Sequence, residues 1–221
     1  MRKLIEGIVE FRRTTQKDYR KSFGWLATGQ SPDTLFIACS DSRVVPNTFA
    51  STNPGDLFVL RNPGNFIPPC GHDGRSTGDE AEAAAIEFAV LRLNVSDIIV
   101  CGHSECGAMR QLVESRKKVN LPNLKSWLRH GDPAVELLRA GAALDSGLSE
   151  ENQLSQLNVL LQMENVKSYP AVSDRFEVGT LNVHGWWFDI AKADVYSYDK
   201  ETDKFILIDE QAAERMLRNV P

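Results

Sequence analysis

Long apolar runs are missing from this 221-residue chain. No stretch approaches the roughly 20 consecutive apolar residues that a membrane-spanning helix needs, so no membrane association is expected. A surplus of positive charge is missing as well. The 25 Lys and Arg residues face 30 Asp and Glu, for a net charge of -5. The basic residues are scattered rather than gathered along one stripe, which excludes an electrostatic nucleic-acid footprint and favours a small or neutral substrate. Cysteine is scarce: the four, at positions 39, 70, 101 and 106, lie in a chain too large to need disulfide staples. A reducing, cytoplasmic setting is therefore expected. Glu6 and Glu10 interrupt the apolar residues near the start, so a signal-peptide core is not expected there either. Internal repeats, linkers and low-complexity tracts are lacking too. One domain over residues 1–221, with 42% hydrophobic residues to fill its core, is the economical reading.

What is present reads as alternating strands and helices. Leu4, Ile8, Phe11, Tyr19 and Phe23 fall at roughly helical spacing and predict one or two surface helices, an N-terminal arm laid on something else. Thr34 to Ala38, Asp56 to Leu60 and Ile98 to Cys101 are short apolar runs that predict buried strands. Residues 79–93 predict a helix. Asp79 with Glu82 suits a capping box, and Ala81, Ala84, Ala85, Phe88, Ala89 and Leu93 are expected to form its buried face. Another helix is expected from Gly107, and the region from Asn120 to Ser168 is helical in character, with an amphipathic piece from Glu150 to Val166. Thr180 to Ile190 reads as a strand, and Val195 to Tyr198 with Phe205 to Ile208 as an antiparallel hairpin. The fold class is then α/β: a mostly parallel central sheet with an antiparallel edge, helices packed on its faces and an N-terminal helical arm. In such sheets ligands bind beyond the carboxyl ends of the strands.

Cys39 follows the first strand and His103 the third, with Cys106 one turn on. Each residue alone would pass for structural. Together they offer two thiolates and one imidazole to a single ion, the soft, mixed set that zinc accepts. Three protein ligands leave a fourth position free, which argues for catalysis. Asp41 stands two residues after Cys39, and Arg43 two further, spaced to hold the carboxylate in a bidentate pair beside the metal. Cys70 and His72 on a glycine-rich loop are too few for a second site. Cys101 reads as core, His184 as a structural hydrogen-bonder, and His130 as a surface residue at a helix end.

The segments ACSDSRVVP (38–46), DLFVLRNPG (56–64), AAIEFAV (84–90), IIVCGHSECGAM (98–109) and VHGWWFDI (183–190), taken in order, resemble the β-class carbonic anhydrases. The resemblance implies one zinc per subunit held by Cys39, His103 and Cys106, with Asp41 and Arg43 as a catalytic dyad beside it. It implies reversible hydration of CO2 to bicarbonate and a proton through a zinc-bound hydroxide. In some members the aspartate becomes a fourth ligand at lower pH and closes the site, so Asp41 is a conditional metal ligand. Gln30, Phe58, Phe88 and Gly107 match substrate-binding positions, with Gln30 and Phe58 serving a neighbouring subunit. Phe36, Arg61 and Phe188 stand where the bicarbonate-inhibited subgroup places a tryptophan, an arginine and a tyrosine. Only the arginine is kept, so the chain reads as a prokaryotic member closer to the plant-like subgroup.

Two other functions use the same residues. One is hydrolysis of COS or CS2 by the same zinc chemistry; the other is a bicarbonate-binding scaffold whose catalysis has lapsed. The intact set of five site residues argues against the second. The apolar faces of the first helix and of residues 150–166 exceed what one sheet easily covers, which predicts a homodimer or homotetramer.

Overall fold

The structure, a computed structural model, describes residues 1–218. Two helices, α1 (Arg2–Thr14) and α2 (Gln16–Phe23), form the N-terminal arm; neither buries a residue. The chain then enters β1 (Thr34–Cys39), passes the short α3 (Pro46–Phe49) and returns in β2 (Leu57–Asn62). After α4 (Glu80–Glu87) come β3 (Asp97–His103) and α5 (Gly107–Glu114). Four further helices are α6 (Pro122–Trp127), α7 (Asp132–Arg139), α8 (Glu150–Lys167) and α9 (Pro170–Glu177). The chain continues through β4 (Asn182–Asp189), β5 (Asp194–Asp199), β6 (Lys204–Leu207) and α10 (Glu210–Arg218).

The six strands form one sheet in the order β2-β1-β3-β4-β5-β6. β2, β1, β3 and β4 run parallel, while β5 and β6 close the far edge antiparallel. β1 and β3 sit between parallel neighbours and are buried almost throughout, as their unbroken apolar runs require. Alternate residues point to opposite faces. Leu35, Ile37, Ile98 and Val100 join Ile86, Ala89, Val159 and Met163 in one core, whereas Phe36, Ala38, Ile99, Cys101 and Phe188 form another. Helix α8 lies against β3 and β4. Two strand glycines let it approach: a Cβ at Gly102 would stand 2.7 Å from Val159 Cγ2, and one at Gly185 2.6 Å from Met163 Sδ.

Three expectations need correction. Asp79 does cap α4, accepting from the Ala81 N–H at 2.9 Å, but Glu82 turns inward and accepts from Asn62 at 3.1 Å. The α4 helix ends at Glu87 in a π turn over Phe88–Arg92. Its buried side is Glu82, Ile86, Ala89 and Val90, whereas Ala81, Ala84 and Phe88 are exposed. The buried positions 82, 86, 89 and 90 keep the i, i+4, i+7, i+8 spacing of a helical stripe, but on the face beside the one that the alanines suggest, because alanine fits a buried or an exposed face alike and does not fix which one turns inward. Second, α8 has no broad free apolar face: Leu154, Leu157, Val159, Met163 and Val166 are buried within the chain, and so are Asn152, Ser155, Asn158 and Gln162. Third, His130 is half-buried rather than a freely exposed surface residue. Its ring packs edge-on to Trp127 with centroids 5.2 Å apart, and its Nε2 is buried with no hydrogen-bond partner among the described residues.

Candidate metal centre

The parallel pairing of β1 with β3 and with β2 ends three strands at one edge of the sheet, with Cys39 in register with Asn62. His103 is the last residue of β3, and Cys106 is the N-cap of α5. The side chains of Cys39, His103 and Cys106 meet there, all buried, with their ligating atoms within 4.8 Å of one another. One hydrogen bond fixes the tautomer of His103. Its Nδ1 lies 2.8 Å from the Ser104 carbonyl and so carries the proton, while its buried Nε2 has no partner among the described residues. An orphaned imidazole nitrogen facing two buried sulfurs is a costly arrangement without a cation and a fitting one with it.

The two thiols push one another apart in acidity. The Cys106 thiol beside it, with His103 and the Gly64 N–H at 3.3 Å, draws Cys39 down to about 4 against the effect of its burial. Cys39 and burial together push Cys106 up, although the Met109 and Ala108 N–H groups at the start of α5 favour its thiolate. The pair shares one proton, and a divalent cation replacing that proton would leave both as thiolates. This donor set fits a soft metal ion.

Asp41 and Arg43 lie beside the trio. Arg43 Nε and Nη2 donate to Asp41 Oδ1 at 3.0 Å and Oδ2 at 2.8 Å, and the Arg43 N–H adds a third bond at 3.0 Å. The guanidinium holds the Asp41 carboxyl well below the usual carboxylate range. The carboxylate is thus turned toward arginine.

Several contributors are not marked as site residues by the sequence. Gly64, at φ +88°, gives its N–H to Cys39; a Cβ there would stand 2.5 Å from the Phe66 ring. Arg61, which reads in the sequence only as the remnant of an anion site, donates to the carbonyls of Cys39 and Asp41 at 2.9 and 2.6 Å. Ser155 of α8 donates to the His103 carbonyl at 2.8 Å. The motif Asn62-Pro63-Gly64 at the end of β2 is the available signal for Gly64. Nothing local marks Ser155.

Of the other expected residues, Phe58 and Phe88 stack on each other with centroids 5.8 Å apart. Gly107 opens α5, and among the described residues a Cβ there would meet nothing within 4 Å, so tight packing does not explain the glycine. Gln30 is exposed on the segment leading into β1. His184 bonds Asp97 at 2.8 Å and Cys101 is fully buried, as expected of structural residues. Among the described residues, Cys70 and His72 belong to no metal-binding group.

Comparison with known proteins agrees with this geometry. The family described as carbonic anhydrase matches residues 34–195. A carbonic anhydrase of Synechocystis is 39% identical over 93% of this chain and 74% of its own length. One of Pseudomonas aeruginosa is 38% identical over 100% of this chain and 98% of its own. The solved β-carbonic anhydrase CcaA superposes with a TM-score of 0.86 at 38% identity, covering 94% of this chain and 98% of that one. A tetrameric β-carbonic anhydrase of Sordaria macrospora does so at 0.75 and 27% identity, covering 89% and 97%. With a Cys-His-Cys group at the carboxyl edge of a mostly parallel sheet, the chain belongs to the β-class carbonic anhydrases and is an enzyme of reversible CO2 hydration.

Proposed function

We propose that the resident metal is zinc, one per chain, held by Cys39 Sγ, His103 Nε2 and Cys106 Sγ, and that Asp41 and Arg43 act beside it in converting CO2 to bicarbonate. The observation that carries this reading is the unpartnered, buried His103 Nε2 facing two buried sulfurs. When bound, zinc supplies Lewis acidity and a nucleophile drawn from water at near-neutral pH. The chain supplies orientation. With its carboxylate ionised by Arg43, Asp41 is an acceptor at neutral pH and can fix the direction of a neighbouring O–H. Its bidentate pairing with Arg43 keeps it off the metal, which favours an open site over one closed by Asp41 as fourth ligand.

The open space at Gly107 supports a role for its backbone in substrate binding, and the Phe58–Phe88 stack supports an apolar wall for CO2. Gln30 completes the substrate-binding set, with Gln30 and Phe58 serving a neighbouring subunit. A plant-like rather than bicarbonate-inhibited character is supported by Phe36 and Phe188. Both are buried in an aromatic cluster with Phe49 and Trp186, and Arg61 is engaged with two backbone carbonyls. Such a cluster offers an anion few donors. The kinship with carbonic anhydrases throughout disfavours COS or CS2 as substrate. We also propose that residues 1–221 act as one domain, on a single sheet, in a homodimer or homotetramer within a reducing cytoplasm.

Elemental analysis of the purified protein tests the metal, and Asp41→Asn tests the dyad. The expected result is one zinc per chain in both proteins, with kcat/KM lowered by about 10²-fold in the variant. A metal other than zinc, or full activity in Asp41→Asn, contradicts the reading.

A further inference from the structure

Between His103 and Cys106 the chain turns sharply, and Glu105 takes the turn at φ 55°. That is the left-handed region, which strains a residue with a side chain and leaves glycine unstrained. Such a conformation persists only where its surroundings over-determine it. Here the surroundings come from α8. Asn152, 9% exposed, accepts from the Glu105 N–H through Oδ1 at 2.8 Å and donates through Nδ2 to Glu105 Oε1 at 3.3 Å. Arg110 of α5 holds the other carboxylate oxygen at 2.9 Å, and Glu151 lies 3.6 Å from the same guanidinium. The turn so fixed aims the Glu105 carbonyl at Arg43, whose Nη2 donates to it at 3.0 Å. The same nitrogen donates to Asp41 Oδ2 at 2.8 Å.

We infer that Asn152 is a positioning residue for the Asp41–Arg43 pair, acting through the backbone of Glu105; this rests on the dyad proposed above. The Arg43 side chain is 48% exposed, and a long exposed side chain gains rotamer freedom whenever a tether is lost. It has two tethers, the Asp41 carboxylate and the Glu105 carbonyl. The second exists only while the 104–105 region keeps its left-handed turn, and Asn152 clasps both the N–H and the carboxylate of the residue making it. Without the clasp the turn relaxes toward ordinary backbone angles, the carbonyl swings away, and Arg43 holds Asp41 less firmly. Asp41 is then freer to turn toward the neighbouring sulfur and imidazole ligands and compete for the metal.

Thiocyanate binding to the cobalt-substituted protein, followed by visible absorption, reads that competition at the fourth coordination position without recourse to activity. Arg43→Ala and Asn152→Ala are each expected to weaken thiocyanate binding about tenfold, within the range of coupling between contacting residues. Adding Glu105→Gly to Asn152→Ala should bring the affinity back to within about threefold of wild type, because glycine adopts the left-handed turn without a clasp. A general loss of stability would not be relieved this way. If the alanine variant does not fold, Asn152→Asp keeps the shape and sets a carboxylate against that of Glu105; weaker binding is again expected. Unchanged affinity in the Asn152 variant that folds, or no rescue by Glu105→Gly, overturns the inference while leaving the dyad standing if Arg43→Ala shows its loss. Unchanged affinity in Arg43→Ala contradicts the dyad itself.

Discussion

At the scale of single residues, the metal centre is built from two short motifs and from side chains that reach it from separate segments. Cys39, Asp41 and Arg43 fall within one strand end, and His103 and Cys106 within one turn, so both halves of the site are visible as motifs. Gly64, Ser155 and Asn152 are not, because each reaches the site from a separate segment and its role depends on a hydrogen bond that spacing does not reveal. His130 shows the opposite failure. Its place at a helix end suggests exposure, yet Trp127 and Gly78 enclose it: a Cβ on Gly78 would come within 2.9 Å of its Cε1. Burial pushes this imidazole down to about 4, from an ordinary value near 6.5. The unfolded chain therefore takes up a proton that the folded chain refuses, so the contribution of His130 is whole above about pH 6.5 and is lost as pH falls toward 4. Urea midpoints measured across that window should fall, and fall less in His130→Gln. An identical slope in the variant contradicts the assignment.

At the scale of elements, every strand lies within two residues of its expected place, since β1 and β3 are unmistakable apolar runs and the β5–β6 turn is strongly polar. Helix α8 is less legible. Its polar residues suggest a solvated side, but they serve the backbone of the loop beyond β2: Gln162 accepts from Ile67 N–H at 2.7 Å, and Asn158 and Asn165 donate to the carbonyls of Gly64 and Ile67. Loop backbone buried under a helix must find partners, and side-chain amides supply them where no strand can. Gln162→Leu leaves the Ile67 N–H buried and unpaired, and should cost about 1–3 kcal/mol in urea unfolding. No loss would show that the amide is dispensable.

At the scale of the whole molecule, the sheet and its core clusters satisfy the apolar residues of the centre but leave those of α1 in water. Leu4 and Ile8 are 65% and 61% exposed, with Ile5 and Val9 beside them. A contiguous apolar stripe of this kind marks an interaction surface. The homo-oligomer proposed above would cover it with a second copy of the chain. The free apolar face of α1 agrees with its sequence pattern, whereas the apolar residues of α8 are already buried within the chain. Ile8→Glu should weaken self-association, seen by sedimentation as a shift toward smaller species; an unchanged distribution rules out this surface. The chemistry of the whole molecule centres on the Cys-His-Cys group at the sheet edge. Stopped-flow CO2 hydration by wild type and by Cys106→Ser, with metal content measured on the same samples, tests that most directly. Rapid hydration by the metal-loaded wild type and loss of both metal and activity in the variant are expected; a variant that hydrates CO2 as fast as wild type would contradict the role of this group.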